Sequence, residues 1–215
     1  EQSQPDKYIV ALQVCGWILF GLGDYSEARD SYRVALRIAD EQNDAREYAK
    51  ALNNVGQCNI CLGNYDVGER QLREAARRMY RERMESEMLR TVAALANAAS
   101  RQGRFEEALD AFHSVYADFL ENSMFVPAAQ VLVEIAFVVT EISNDVTYAR
   151  EQCAHLAANL GNYDLPGNVR DAVNYVQRQT SAPESVAQVR TALLYVRAFL
   201  TTPRSSPSLA FVAPA

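Results

Sequence analysis

Three six-residue stretches follow one pattern at intervals of 40 residues: Gly23-Asp24-Tyr25-Ser26-Glu27-Ala28, Gly63-Asn64-Tyr65-Asp66-Val67-Gly68 and Gly103-Arg104-Phe105-Glu106-Glu107-Ala108. Each begins with glycine, has an aromatic residue two positions later and has a small residue three positions after the aromatic. Two equal intervals with matched chemistry indicate an internal repeat, and repeats of this length are typical of stacked structural units. The repeat therefore decides the fold class.

The sequence on both sides of each motif has helical period. Around the second motif, apolar and small residues recur every three or four positions: Ala49, Leu52, Val55, Gly56 and Ile60 before it, and Tyr65, Gly68, Leu72, Ala75 and Met79 after it. This spacing predicts two amphipathic helices in each repeat. We expect the glycine to form the turn between them, because glycine tolerates the positive φ that often ends a helix.

The repeat resembles the tetratricopeptide repeat, whose helix pair has small residues and a Gly-x-Tyr turn at set positions. The matching residues are Leu12, Gly16, Gly23, Tyr25, Ala28, Tyr32 and Ala35, then Leu52, Gly56, Gly63, Tyr65, Gly68, Leu72 and Ala75, then Val92, Ala96, Gly103, Phe105, Ala108, Phe112 and Val115. The period of 40 exceeds the usual length of about 34, and the usual proline after the second helix is absent. Both departures fit the longer helices of extended-repeat members.

The resemblance implies an all-α fold, a right-handed superhelical solenoid of about five antiparallel helix pairs. We expect a lead at 1–8, one domain at 9–200 and an irregular tail at 201–215. The predicted repeats are 9–44, 45–84, 85–122, 125–160 and 167–200. The fourth has Ser143-Asn144-Asp145 in place of the glycine turn, and the fifth pairs Asn168–Gln179 with Glu184–Leu200.

Composition limits the classes of function. The 215 residues carry a net charge of −6, which disfavours direct binding of nucleic acid. No run approaches about 18 apolar residues, so we expect no membrane-spanning segment. Four scattered cysteines suit a reducing compartment, and hence the cytoplasm. Because the chain starts at Glu1 without an initiator Met and without an apolar leader, we expect a fragment or processed product.

The residues that usually carry enzyme chemistry are not grouped in the sequence. His113 and His155 lie in different predicted helices, and known nucleophile and phosphate-binding motifs are absent. Cys58 and Cys61 have Cys-x-x-Cys spacing, but they lie inside a predicted helix without a second pair. We therefore expect a protein that is not an enzyme and that has no cofactor and no metal.

Arginines recur along the predicted second helix of repeat two, at positions 70, 73, 77 and 81. It suits either an acidic partner or a solvated outer face. The second interpretation is favoured because Glu69 with Arg73 and Glu74 with Arg78 have the spacing of helical ion pairs.

The resemblance also implies where a ligand would bind. In such arrays the first helices line a concave groove, and amide side chains there can both donate to and accept from a peptide main chain. Aligned on Gly16, Gly56 and Ala96, the groove positions are Gln13, Trp17, Lys50, Asn53, Asn54, Gln57, Arg90, Asn97 and Arg101. Trp17 fits equally well in the core. A plain solvated face is the alternative for the whole set.

Three functions remain open on the sequence. The first is a scaffold that binds a protein or peptide segment, an acidic one if the arginines contribute. We do not expect the ligand to be a chaperone C-terminus. Tetratricopeptide proteins that bind such tails hold the terminal carboxylate with a clamp of Lys and Asn, and this sequence has Gln13 and Trp17 at those positions of the first repeat. The second is a sensory or regulatory domain of a larger bacterial regulator, since the last part of the chain resembles helical arrays of such proteins. The third is an enzyme with an unrecognised site. The oligomeric state is left open, with a homo-oligomer as one option.

Overall fold

The structure, a computed structural model, describes residues 4–160, 167–179 and 183–201. It is all-helical, with 88% of residues in helix and no strand in the described ranges. The helices there are α1 (Gln4–Leu22), α2 (Tyr25–Glu41), α3 (Ala45–Cys61), α4 (Tyr65–Arg81), α5 (Glu85–Arg101), α6 (Phe105–Glu121), α7 (Phe125–Ser143), α8 (Thr147–Leu160), α9 (Gly167–Arg178) and α10 (Pro183–Thr201). Within each of the two units described below, consecutive helices pack on one another, and the all-α, solenoid-type fold class is confirmed.

The helix boundaries repeat with the sequence period. α2, α4 and α6 each begin at the aromatic residue of the motif, and each has 17 residues. The fourth predicted turn lies where the sequence placed it, between α7 and α8. Of the predicted lead, residues 1–3 lie outside the described ranges and α1 begins at Gln4. The predicted tail beyond Thr201 lies outside them as well.

From α1 to α8, each turn between consecutive helices contains a residue with positive φ. Gly23, Gly63 and Gly103 have φ values of 87°, 80° and 75°, as predicted. The turns between repeats use residues that are not glycine, with φ of 55–56°: Asn43, Arg83 and Ser123. At each of these, backbone bonds such as Met84 N to Met79 O, 2.9 Å long, close the helix end.

Contacts divide the chain into two compact units, Glu1–Gln102 and Gly103–Ala215. We call them the N-terminal unit and the C-terminal unit. In the N-terminal unit, α2 lies against both α1 and α3, and α4 lies against both α3 and α5. Small residues fill the contacts: Ala28 and Ala35 of α2 have no exposed surface.

The helices of the N-terminal unit approach most closely where a glycine faces another helix. A Cβ atom on Gly68 would lie 2.8 Å from the carbonyl oxygen of Gly56, and one on Gly16 would lie 2.7 Å from the Tyr32 ring. Distances below about 3 Å leave no room for a methyl group without movement of the neighbour. Gly56 and Gly68 therefore allow α3 and α4 to pack closely.

The C-terminal unit closes its last four helices around a shared core. α10 packs on α7 as well as on α9, and apolar residues of α7, α8, α9 and α10 form one cluster. Two ion pairs join α10 to α7. Arg197 Nε lies 2.6 Å from Glu134 Oε1, and Arg190 Nε lies 2.6 Å from Glu141 Oε1. Because the Glu134 side chain is only 8% exposed, its charge depends on Arg197 for compensation.

By length and composition, α7 is the single helix in the described ranges that could cross a membrane. Its 18-residue window has a mean hydropathy of 1.8, and 56% of it is buried. A central helix of a folded unit has the same composition, because it is surrounded by other helices. Packing in the C-terminal unit accounts for α7, and the absence of a membrane-spanning segment stays a prediction.

The positive φ at Arg83 yields a first test. We expect Arg83→Gly to raise the free energy of unfolding by about 0.5–1 kcal/mol, since glycine adopts this conformation without a clash of its own Cβ. Gly63→Ala, at the matching turn, should lower it by about 1 kcal/mol. Urea denaturation followed by circular dichroism measures both. A less stable Arg83→Gly variant would contradict the strain assigned to this turn.

The contact between Gly56 and Gly68 yields a second test. Repeats one and three have Ala28 and Ala108 at the position of Gly68, so alanine there would make the repeats more alike. We nevertheless expect Gly68→Ala to cost about 1–3 kcal/mol, because its methyl group would overlap the Gly56 carbonyl. Val67→Ala, at an exposed neighbour, is the control and should change stability by less than about 0.5 kcal/mol. Equal stability of the two variants would rule out the close contact.

The ion pair between Glu134 and Arg197 yields a third test. Glu134→Met leaves the Arg197 charge without this partner and should cost about 1–3 kcal/mol. The double variant Glu134→Met with Arg197→Met should recover at least half of that loss, because apolar groups replace both charges. Thermal and urea denaturation provide the measurement. If the double variant is as unstable as the single one, the cost comes from lost packing and not from an unpaired charge.

Candidate functional site

The residues predicted to line a groove all lie on α1, α3 and α5 of the N-terminal unit. α3 contacts both of the other two helices, so the three form adjacent rows. We call their predicted residues the first-helix face: Gln13, Trp17, Lys50, Asn53, Asn54, Gln57, Arg90, Asn97 and Arg101. Every one of them is half-buried or exposed. The face is therefore open to a ligand along its whole length.

A row of hydrogen bonds crosses the three helices. Asn54 Nδ2 donates to Gln13 Oε1 on α1 over 3.4 Å, and Asn53 Nδ2 donates to Asn54 Oδ1 over 3.0 Å. The hydroxyl of Thr91 on α5 donates to Asn53 Oδ1 over 3.0 Å. Each amide in the row has a second N–H and a further acceptor site. The row can therefore hold its own side chains in place and still bind a ligand.

A carboxylate lies among these groups, and the sequence analysis did not single it out. Glu47 of α3 accepts from Gln13 Nε2 and from Lys50 Nζ, each over 2.7 Å. Its side chain is 22% exposed, so the pair is only partly screened by water. The negative charge of Glu47 offsets that of Lys50, which leaves the α3 part of the face nearly neutral. A signal existed in the three-residue spacing of Glu47 and Lys50, which suits a helical ion pair.

The two ends of the face differ in character. On α1, Trp17 is 49% exposed and lies beside the exposed Val10 and Val14, so it does not fill the core as the alternative interpretation had it. On α5, Arg90 and Arg101 are exposed. The face thus runs from an apolar end on α1, across amides on α3, to a basic end on α5.

The arginine run of α4 lies on a different, outer surface. Both predicted ion pairs form: Arg73 Nη2 to Glu69 Oε2 at 2.9 Å, and Arg78 Nε to Glu74 Oε1 at 2.8 Å. The Arg78 guanidinium also lies 4.5 Å from the centre of the Tyr48 ring. These contacts agree with a solvated helix surface in which part of the positive charge is balanced locally.

Among the described residues, no group of three or more His, Cys, Asp or Glu side chains could hold a metal ion. Burial raises the pKa of the Cys58 thiol to about 12 and that of Cys153 to about 12, so both are protonated at neutral pH and poor nucleophiles. His113 and His155 are exposed on α6 and α8. Two apolar clefts among the described residues of the C-terminal unit have volumes of about 0 and 10 Å³, room for about one water at most. The first-helix face is therefore the best candidate.

Comparison with known proteins supports the fold and goes no further. No protein-family model matches the chain, and no curated protein sequence matches it. Among solved structures, the crystal structure of BtubC (BKLC) from P. vanneervenii is similar. The match covers 98% of this chain and 99% of that chain, with a TM-score of 0.63 and 15% sequence identity. At this identity the likeness shows a shared helical-repeat fold alone.

Proposed function

We propose that the chain is a tetratricopeptide-type interaction module, without catalytic activity, which binds a peptide or protein segment along the first-helix face. The observation that carries this proposal is the hydrogen-bonded row in which part-exposed amides of α1 and α3 are joined to the buried Thr91 hydroxyl of α5. An extended main chain offers a donor and an acceptor at every residue, and amide side chains are the groups that satisfy both. A row of them along one surface suits that ligand better than it suits a small molecule.

The contacts within the row favour binding because they reduce its entropic cost. Ordering a free polar side chain costs about 0.5–1.5 kcal/mol on association. Asn53 and Asn54 are already held by each other and by Thr91 and Gln13. A ligand that uses their second donors and acceptors therefore orders little that is not ordered already.

The charges of the face set the direction and chemistry of the bound segment. Glu47 disfavours a carboxylate beside α3, while Arg90 and Arg101 attract one to the α5 end. The exposed Trp17 offers an apolar surface at the opposite end. We propose a segment that carries its acidic groups toward α5. Such binding should weaken as salt screens the arginines.

The same proposal extends to the setting of the protein. The four cysteines of the chain are free thiols in the structure, which suits a reducing compartment. We therefore propose a cytoplasmic module with a protein partner and without a cofactor.

Peptides selected from a random phage-displayed library against the intact chain provide the probe. For the peptides that bind, we expect Asn54→Ala with Asn97→Ala to raise the Kd at least about 10-fold, as the loss of one or two hydrogen bonds of about 1 kcal/mol each predicts. Fluorescence anisotropy of labelled peptides gives the Kd. Thermal denaturation of the same variant should show little loss of stability, since both side chains are only half-buried and water can satisfy the groups that lose a partner.

Arg73→Glu with Arg77→Glu is the matched control, because it changes two exposed residues of the outer surface of α4. It should leave the Kd unchanged. If the selected peptides bind the double asparagine variant normally and lose affinity for the arginine variant, the binding surface is the outer face and the proposal is wrong. A library that yields no peptide specific for the folded chain would also contradict it.

A further inference from the structure

One side of α1 is apolar and exposed, apart from the first-helix face. Its large members are Tyr8, 56% exposed, Ile18, 48% exposed, and Leu22, 68% exposed. Ala11 and Cys15 lie between them and are exposed as well. The five residues alternate at spacings of three and four, so they form one stripe along the helix. We call this stripe the edge face: Tyr8, Ala11, Cys15, Ile18 and Leu22.

The positions that correspond to the edge face in the later repeats are covered by another helix. Forty residues later, α3 has Ala51, Val55 and Cys58 at the positions of Ala11, Cys15 and Ile18, and all three are buried. They lie in apolar clusters with Ala28, Tyr32, Ala35 and Ala39 of α2.

The same side is covered on α5. Ala98, at the position of Ile18, is buried in one cluster with Leu72 of α4, and Met88, at the position of Tyr8, packs against Met79 of α4. On both α3 and α5, this side of the helix is the one on which the preceding helix packs. The edge face of α1 therefore corresponds to the surfaces of α3 and α5 on which α2 and α4 pack. Its geometry is that of a surface which accepts a helix.

The edge face is poorly suited to water. α1 carries no charged side chain anywhere from Tyr8 to Leu22. A contiguous exposed stripe of large apolar residues marks an interaction surface in a folded protein.

The stripe is also nearly symmetric about its centre. Tyr8 and Leu22 each stand seven positions from Cys15, and Ala11 and Ile18 stand four and three positions from it. Two such helices in antiparallel orientation would place large residues at both ends and set Ala11 of one copy against Ile18 of the other. Consecutive helices joined by short turns are antiparallel, so this is also the orientation of α2 on α3.

We infer that the edge face binds the edge face of a second copy of this chain, so that α1 pairs with α1 in an antiparallel, two-fold symmetric dimer with Cys15 at its centre. Self-complementary contact of one patch is the commonest arrangement in homodimers. The absence of charged side chains between Tyr8 and Leu22 of both copies removes electrostatic repulsion along this stretch. The first-helix face lies on a neighbouring side of α1 and is not needed for this dimer.

Sedimentation velocity on the intact chain at micromolar concentrations tests the dimer. We expect twice the 24.0 kDa mass of one chain for the wild type. Ile18→Glu and Leu22→Glu should each give the mass of one chain, because each carboxylate would be buried in the apolar contact without a compensating charge. Leu22 is the more exposed of the two, so Leu22→Glu decides the outcome if Ile18→Glu does not fold. Tyr80→Glu is the control: Tyr80 of α4 is 75% exposed, and the variant should remain a dimer.

Oxidation with diamide gives a second readout that depends on the orientation. The two Cys15 thiols would give up two electrons and two protons to diamide, form one S–S bond and leave the reduced hydrazine. A covalent dimer should appear on non-reducing gels, be lost in Cys15→Ser and be kept in Cys61→Ser. A wild type with the mass of one chain at all concentrations overturns the inference. So does a dimer that survives Leu22→Glu, or one whose cross-link survives Cys15→Ser. Normal dimerisation of Asn54→Ala with Asn97→Ala separates this result from the peptide-binding proposal.

Discussion

The close approach of helices at small residues is the constraint on which the N-terminal unit depends. Gly56 and Gly68 bring α3 and α4 within reach of a backbone carbonyl, and Gly16 lets the Tyr32 ring lie directly on α1. Such proximity gains dispersion energy over many atom pairs. It also fixes the register, because a helix shifted by one residue would place a larger side chain where no space exists. The regular rows of α1, α3 and α5 follow from that register.

The register in turn determines which polar groups meet. Gln13, Asn54, Asn53 and Thr91 come from three helices and form one row because each repeat is displaced by 40 residues. No single helix contains this arrangement. Helical spacing within α3 places Glu47 beside Lys50 and offsets its charge, and the stacking of α1 on α3 adds Gln13 as a second donor to Glu47. The electrostatic character of the candidate site thus depends on both the helix and the stacking.

The C-terminal unit packs differently, around the central helix α7. α7 is buried along most of its length, and α10 covers it through apolar contacts and two ion pairs. Buried ion pairs contribute little net stability, yet they penalise alternative arrangements that would leave a charge alone. Glu134 and Arg197 therefore select the pairing of α7 with α10 among the apolar surfaces that could otherwise meet.

The sequence by itself determined the helices, the period and the glycine turns, because these depend on local backbone preference and on the spacing of apolar residues. It placed Gly63 in a turn, but it did not reveal Arg83 at positive φ, since arginine has no preference for that conformation and only the fixed positions of α4 and α5 impose it. It selected Asn54 and Gln13 but not Thr91, because a partner across two helices depends on their register; the Glu47–Lys50 spacing was present in the sequence, while the bond from Gln13 to Glu47 depends on the stacking. Whether Trp17 and Ile18 were core or surface was likewise decided by the tertiary structure, since exposure depends on which helices pack nearby, and a residue's own sequence neighbourhood does not contain that information.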